Sequence, residues 1–299
     1  MFGPPVAALA ALCAVSAAVL ILAGSVRSRR HPTRKVLDAA LTHERTTSAV
    51  AGLLALLVLA YALSPAGAAD LTSSTHTPGL LLAVAPPATA VLLLAVRAVG
   101  ELTWPRTQGA VRTAALARRS VRSLGEWRLT LFLVTVAISA VGLVVFGLTA
   151  GEGGRAVDAP IQVSPDGWST GSSGPYPGWP YGVPLLVALA VVTLATLGVL
   201  KLVSRRAVVS GATPAEDDAL RRLSAAHVLA GVQLLIGLGT AAVMLLASLA
   251  LFSADRSPAA FVAFAVATAI GITSVVAGLS VLARHPAPAA PAAPLPSAA

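Results

Sequence analysis

Residues 225–252 read AAHVLAGVQLLIGLGTAAVMLLASLALF, with no Asp, Glu, Lys or Arg anywhere in the run. A helix rises about 1.5 Å per residue and the hydrocarbon core of a bilayer is about 30 Å thick, so about 20 apolar residues cross it. This stretch is long enough to span with a turn to spare.

Immediately upstream, Thr213-Pro214-Ala215-Glu216 has the form of a capping box with proline at the first helical position. The Thr213 hydroxyl can accept from the Glu216 N–H while the Glu216 carboxylate reaches back, and Pro214 has no N–H to leave unpaired. Asp217 with Arg221, and Asp218 with Arg222, stand four residues apart, acid first, the favourable order for helical pairs. One unbroken helix is therefore predicted from 214 to about 252. At about 1.5 Å per residue it measures about 58 Å, so about one third projects beyond the bilayer.

Six further apolar stretches flank it, at 5–26, 47–65, 79–99, 128–149, 183–203 and 259–283. The composition agrees: 56% of the 299 residues are apolar, 11% are charged, and the mean hydropathy is +0.83, far from the charge content of a soluble domain. The predicted fold is all-α, a polytopic transmembrane bundle of seven spans.

Charge placement sets the orientation, because Lys and Arg in short loops stay on the cytoplasmic side. Segments 27–46, 97–128, 201–224 and the tail hold all of the 21 basic residues except Arg155 and Arg256. This puts the N-terminus outside and the C-terminus inside. The same distribution accounts for the net charge of +9 without nucleic acid, since the charges lie between apolar runs and form no patch on a soluble fold. Trp104 and Trp127 are expected at the inner headgroup level, and Tyr61, Trp179 and Tyr181 at the outer one. Asn is absent, and Lys35 and Lys201 are the only lysines, a usage that points to a high-GC bacterial genome and hence to the bacterial cytoplasmic membrane. The basic cluster Arg27, Arg29, Arg30 follows the first apolar run, the reverse of a cleaved signal peptide, so that run is read as a retained span.

Residues 151–182 form a Gly-, Pro- and aromatic-rich extracytoplasmic loop with no cysteine to staple it, read as flexible with its last aromatics at the interface. Its two Trp and two Tyr give it an alternative reading as a ligand loop. Residues 286–299, rich in Ala and Pro, read as a disordered cytoplasmic tail. Within 108–124, Val111, Ala114, Ala117, Val121 and Leu124 make a helical stripe opposite Arg112, Arg119 and Arg122, an interfacial amphipathic helix.

Catalytic, metal and cofactor constellations are not evident. Cys13 is the sole cysteine, and no two of the five histidines have ligand spacing within a helix turn. His227 and Gln233 are six apart, on different faces. Arg97 and Lys201 lie close enough to the inner boundary to snorkel, so no ionisable residue is expected buried within a span, which disfavours a proton relay. Small residues recur every fourth position, at Ala263, Ala267 and Gly271 among others, allowing close helix approach within a bundle or between copies.

Two functional readings follow. The first is a non-enzymatic scaffold or regulatory membrane protein whose basic face, at Arg112, Arg118, Arg119 and Arg122, meets anionic lipid or a cytoplasmic protein partner. The alternative is a carrier or permease for a neutral or hydrophobic solute. It would use the third span, expected to kink and break at Pro86-Pro87, where two carbonyls lose their helical donors, with hydroxyls such as Thr89, Thr193 and Thr196.

Overall fold

A computed structural model of the chain describes residues 34–73, 77–104, 120–159, 162–164, 167–169, 171–209 and 212–282. Among the described residues seven helices follow one another: α1 Arg34–Leu63, α2 Pro65–Ser73, α3 Leu80–Leu102, α4 Val121–Thr149, α5 Trp179–Arg205, α6 Pro214–Ser253 and α7 Ser257–Leu282. All but α2 are long and apolar enough to cross a membrane. The stretch 5–26, expected as the first of seven spans, and the tail 286–299 lie outside the described residues.

The long helix foreseen around 225–252 is α6, which runs for 40 residues from a complete capping box: Thr213 accepts from the Glu216 N–H at 3.3 Å and the Glu216 carboxylate takes the Thr213 N–H at 2.8 Å. It is the hub of the bundle, packed against α1, α3, α4, α5 and α7. Val228, Leu229, Val232, Leu235 and Ile236 enter the same core as Phe132 of α4, Leu93 and Leu94 of α3 and Val192 of α5. Because Asp217, Leu220, Arg221 and Ser224 are buried as well, the first turns of α6 do not project freely. They pack inward over the ends of their neighbours.

The tightest partnership is between α6 and α7. Ala263 and Ala267 of the expected small-residue stripe are buried against Ala247, Ala250 and Leu251, and Gly271 faces Ala241, so in α7 this stripe serves internal packing. The connecting turn is closed by Asp255 at φ 58°, with the Asp255 N–H donating to Phe252 and the Arg256 N–H to Leu251, a C-cap pattern that usually takes glycine.

Three expectations need correction. The amphipathic helix over 108–124 cannot run through to 124, because Ser120 is extended and N-caps α4 at Val121; residues 105–119 lie outside the described residues. Glu126 then interrupts α4 with φ 46° and ψ −137°. Secondly, α3 passes through Pro86 and Pro87 as one helix. Thirdly, the loop between α4 and α5 is folded. It holds β1 (Val157–Asp158) antiparallel to β4 (Ser172–Ser173) and, nested inside, β2 (Gln162–Ser164) antiparallel to β3 (Gly167–Ser169). Tyr176 anchors it: buried edge-on against Phe146, its hydroxyl shares a 2.7 Å hydrogen bond with Thr149, and burial pushes its phenol above the ordinary value. Tyr181 donates to the Pro78 carbonyl at 2.8 Å.

Close approach also decides one glycine. A Cβ on Gly237 would collide with the Ser274 hydroxyl of α7, whereas one on Gly52 of α1 would meet nothing. Gly237→Ala should therefore destabilise the bundle by about 1–3 kcal/mol through overpacking. Gly52→Ala should not lower stability, and thermal unfolding of both variants in the same detergent checks the contrast.

Candidate functional site

At one end of the bundle, where α1 begins, α3 ends, α5 ends and α6 begins, lies a cluster of charged side chains almost wholly out of water. Arg97 of α3, 2% exposed, donates from Nη2 to Glu44 of α1, 1% exposed, at 2.9 Å. Its Nη1 donates to Ser48 at 2.6 Å. Glu44 also accepts from Ser224 of α6 at 2.6 Å and from Ser48 at 3.1 Å, and lies 3.0 Å from Nδ1 of the half-buried His227. One carboxylate thus gathers groups from three helices.

A second carboxylate continues the network. Glu101, one turn after Arg97, lies 3.8 Å from it and 3.5 Å from Arg206, which follows α5. Arg206 donates to the Ser224 hydroxyl at 2.9 Å and stacks its guanidinium 3.9 Å from the centre of the Trp104 ring. The expected helical pair Asp217–Arg221 is formed at 2.8 Å with both side chains fully buried. Arg221 also donates to the carbonyls of Val203 and Arg206, at 2.7 and 2.8 Å, and so satisfies carbonyls at the C-terminal end of α5 that have no helical donor. Arg222, by contrast, reaches Glu126 across the surface at 3.5 Å.

The cluster revises several sequence expectations. Arg97 does not snorkel, and ionisable groups are buried within span-forming helices. The reason is a partner remote in sequence, Glu44, which stabilises the charge where lipid or headgroup contact was anticipated. Trp104 is not a headgroup anchor, being buried between Arg206 and the edge of His43. His227 and Gln233 do occupy separate environments, the first on Glu44 and the second on Thr135 and Ser274. Of the four arginines assigned to partner contact, Arg122 is exposed in the first turn of α4; Arg112, Arg118 and Arg119 lie outside the described residues.

Farther along the bundle the polar groups are uncharged. Gln233 of α6 donates to Thr135 of α4 at 3.0 Å and to Ser274 of α7 at 2.8 Å, and one turn on Ser139 and Thr240 share a bond of 2.7 Å. Beyond them a cavity of about 30 Å³ is lined by α3, α4, α5 and α6, with Ala83, Pro87, Ser139 and Thr240 in its wall. That is room for one or two waters. Thr89, Thr193 and Thr196 do not line it, since each hydroxyl bonds the carbonyl four residues back in its own helix. Among the described residues no group of three His, Cys, Asp or Glu is placed to hold a metal.

Fold and site together define a helical membrane bundle closed at one end by a buried ionic clamp. No known protein family, curated protein or solved structure matches the chain.

If the clamp holds the helices as described, Arg97→Met leaves Glu44 buried without its cation and should cost about 3 kcal/mol. The double variant Glu44→Gln, Arg97→Met should regain part of that loss, because it removes both charges together. Arg222→Gln at the exposed pair should change stability by less than about 0.5 kcal/mol. Unfolding of the four proteins side by side measures all three effects.

Proposed function

We propose that the chain is a non-enzymatic scaffold or regulatory protein of the bacterial cytoplasmic membrane, with the clamped end in the cytoplasm as its docking face. The observation that carries this reading is how the cations at that end are divided. Arg97, Arg206 and Arg221 are buried and used internally, while Arg45, Arg122, Lys201 and Arg205 are exposed and form no ion pair with a described carboxylate. A rim of uncompensated cations on a stiff base attracts an acidic surface and, unlike a flexible basic tail, holds it in register.

The orientation rests on the positive-inside bias and is tested by single cysteines placed at Ser173 and Arg205 in a Cys13→Ser background. A membrane-impermeant thiol reagent added to intact cells should label the first only. The docking reading is tested by cross-linking in native membranes followed by identification of captured proteins. Replacing Arg122, Lys201 and Arg205 with Gln should reduce capture of a stoichiometric acidic protein at least tenfold with the bundle still folded. Unchanged capture would overturn the reading.

A carrier for a small neutral solute is the second reading, favoured by the cavity beside Pro87 and by the uncharged polar groups that lead to it. Pro86→Ala with Pro87→Ala restores two helical donors. A carrier loses solute flux on this change, whereas a scaffold keeps its partner.

A further inference from the structure

The clamp is satisfied unevenly. Glu44 has a full set of donors, yet four nitrogen atoms in the same cluster, Arg206 Nε and Nη2, Arg97 Nε and Trp104 Nε1, are buried with no hydrogen-bond partner among the described residues. An unpaired buried donor is costly, more so when it is charged, and each one in a native structure calls for an explanation such as a water, an ion or a ligand.

Their arrangement is specific. Arg206 uses Nη1 for Ser224 and Glu101, which leaves the parallel Nε–H and Nη2–H pair of its other edge without an acceptor among the described residues. That edge is the one with which arginine grips two oxygens of a tetrahedral or planar oxyanion. The indole ring of Trp104 stacks on the same guanidinium, and its Nε1–H is likewise buried without a partner among the described residues. Thr103, Ala207 and Val208, the chain neighbours of these two residues, are exposed, so the pair stands beside the surface ends of two membrane helices, α3 and α5.

We propose that Arg206 and Trp104 form a binding site for a phosphate group at the membrane surface, the Arg206 edge taking two phosphate oxygens and the Trp104 N–H a third contact. The site is distinct from the exposed rim of cations and does not depend on it. The phosphate can belong to a phospholipid headgroup or be free in solution, and the chemistry on the protein is the same.

The experiment uses the full-length protein in detergent, stripped of lipid and returned to phosphatidylglycerol or to inorganic phosphate, with sodium chloride at matched ionic strength as the reference. Native mass spectrometry counts retained lipid, and thermal unfolding reports stabilisation by either anion. The expected result is one lipid that survives stripping and a phosphate-specific rise in unfolding temperature. Both should weaken at least tenfold in apparent affinity in Arg206→Lys, which keeps the charge and lacks the fork. Trp104→Phe, which keeps the stacked ring and removes the N–H, should weaken them about threefold, and it carries the test if Arg206→Lys unfolds. Response to lipid alone assigns the phosphate to a headgroup, and response to inorganic phosphate alone to a soluble anion. Binding of neither anion, or binding unaltered in both variants, overturns the proposal.

Discussion

A carboxylate taken out of water between helices must be met by positive charge and hydrogen-bond donors, and the position of Glu44 imposes that requirement on half the bundle. Arg97 must end its helix beside it, Ser224 and His227 must present the start of α6, and Ser48 must stand one turn along its own helix. Helix packing in lipid lacks a hydrophobic drive of its own, so directional contacts of this kind fix which helices meet and at what height. Arg221 extends the same logic to α5 by bonding the carbonyls at its end. The opposite end is closed by other means, with a small folded loop held by Tyr176 and Tyr181 and a tight turn at Asp255.

Much of the architecture was legible in the sequence because its causes are local. The apolar run at 225–252, the Thr213–Glu216 cap and the Asp217–Arg221 pair each involve residues within one or two turns, and the structure contains all three. The candidate site was not legible. Glu44 and Arg97 are 53 residues apart, and Glu44 and His227 are 183 apart, so neither pairing leaves a periodic trace. A signal was nonetheless present: Glu44 and Glu101 fall at the ends of apolar runs, where acidic residues have no positive-inside role to explain them. The loop at 151–182 was misread for a related reason. Its composition suggests flexibility, but Tyr176 finds its pocket on Phe146 and Thr149 of another element.

Between the two ends, the bundle carries amides and hydroxyls in place of charges. Gln233 joins three helices through Thr135 and Ser274, and the Ser139–Thr240 bond lies one turn farther on. These groups sit where α6 meets α4 and α7, and Gly237 lets α7 come close enough for Ser274 to reach the amide. The division is physically sensible: neutral polar contacts tolerate depth in a bilayer, whereas ionised pairs are less costly near the headgroups.

The sequence distance that hid the clamp also orders its assembly. Helices leave the ribosome from the N-terminus onward, and α1 and α3 enter the membrane well before the residues that complete their ionic contacts exist. Arg97 can meet Glu44 as soon as α3 is inserted, but Arg206, Ser224 and His227 arrive only with the end of α5 and the start of α6. Until then Glu44 has its cation but lacks its contacts with Ser224 and His227. The α6–α7 hairpin, densely packed and joined by a short turn, is therefore made after the helices it packs against and seals them.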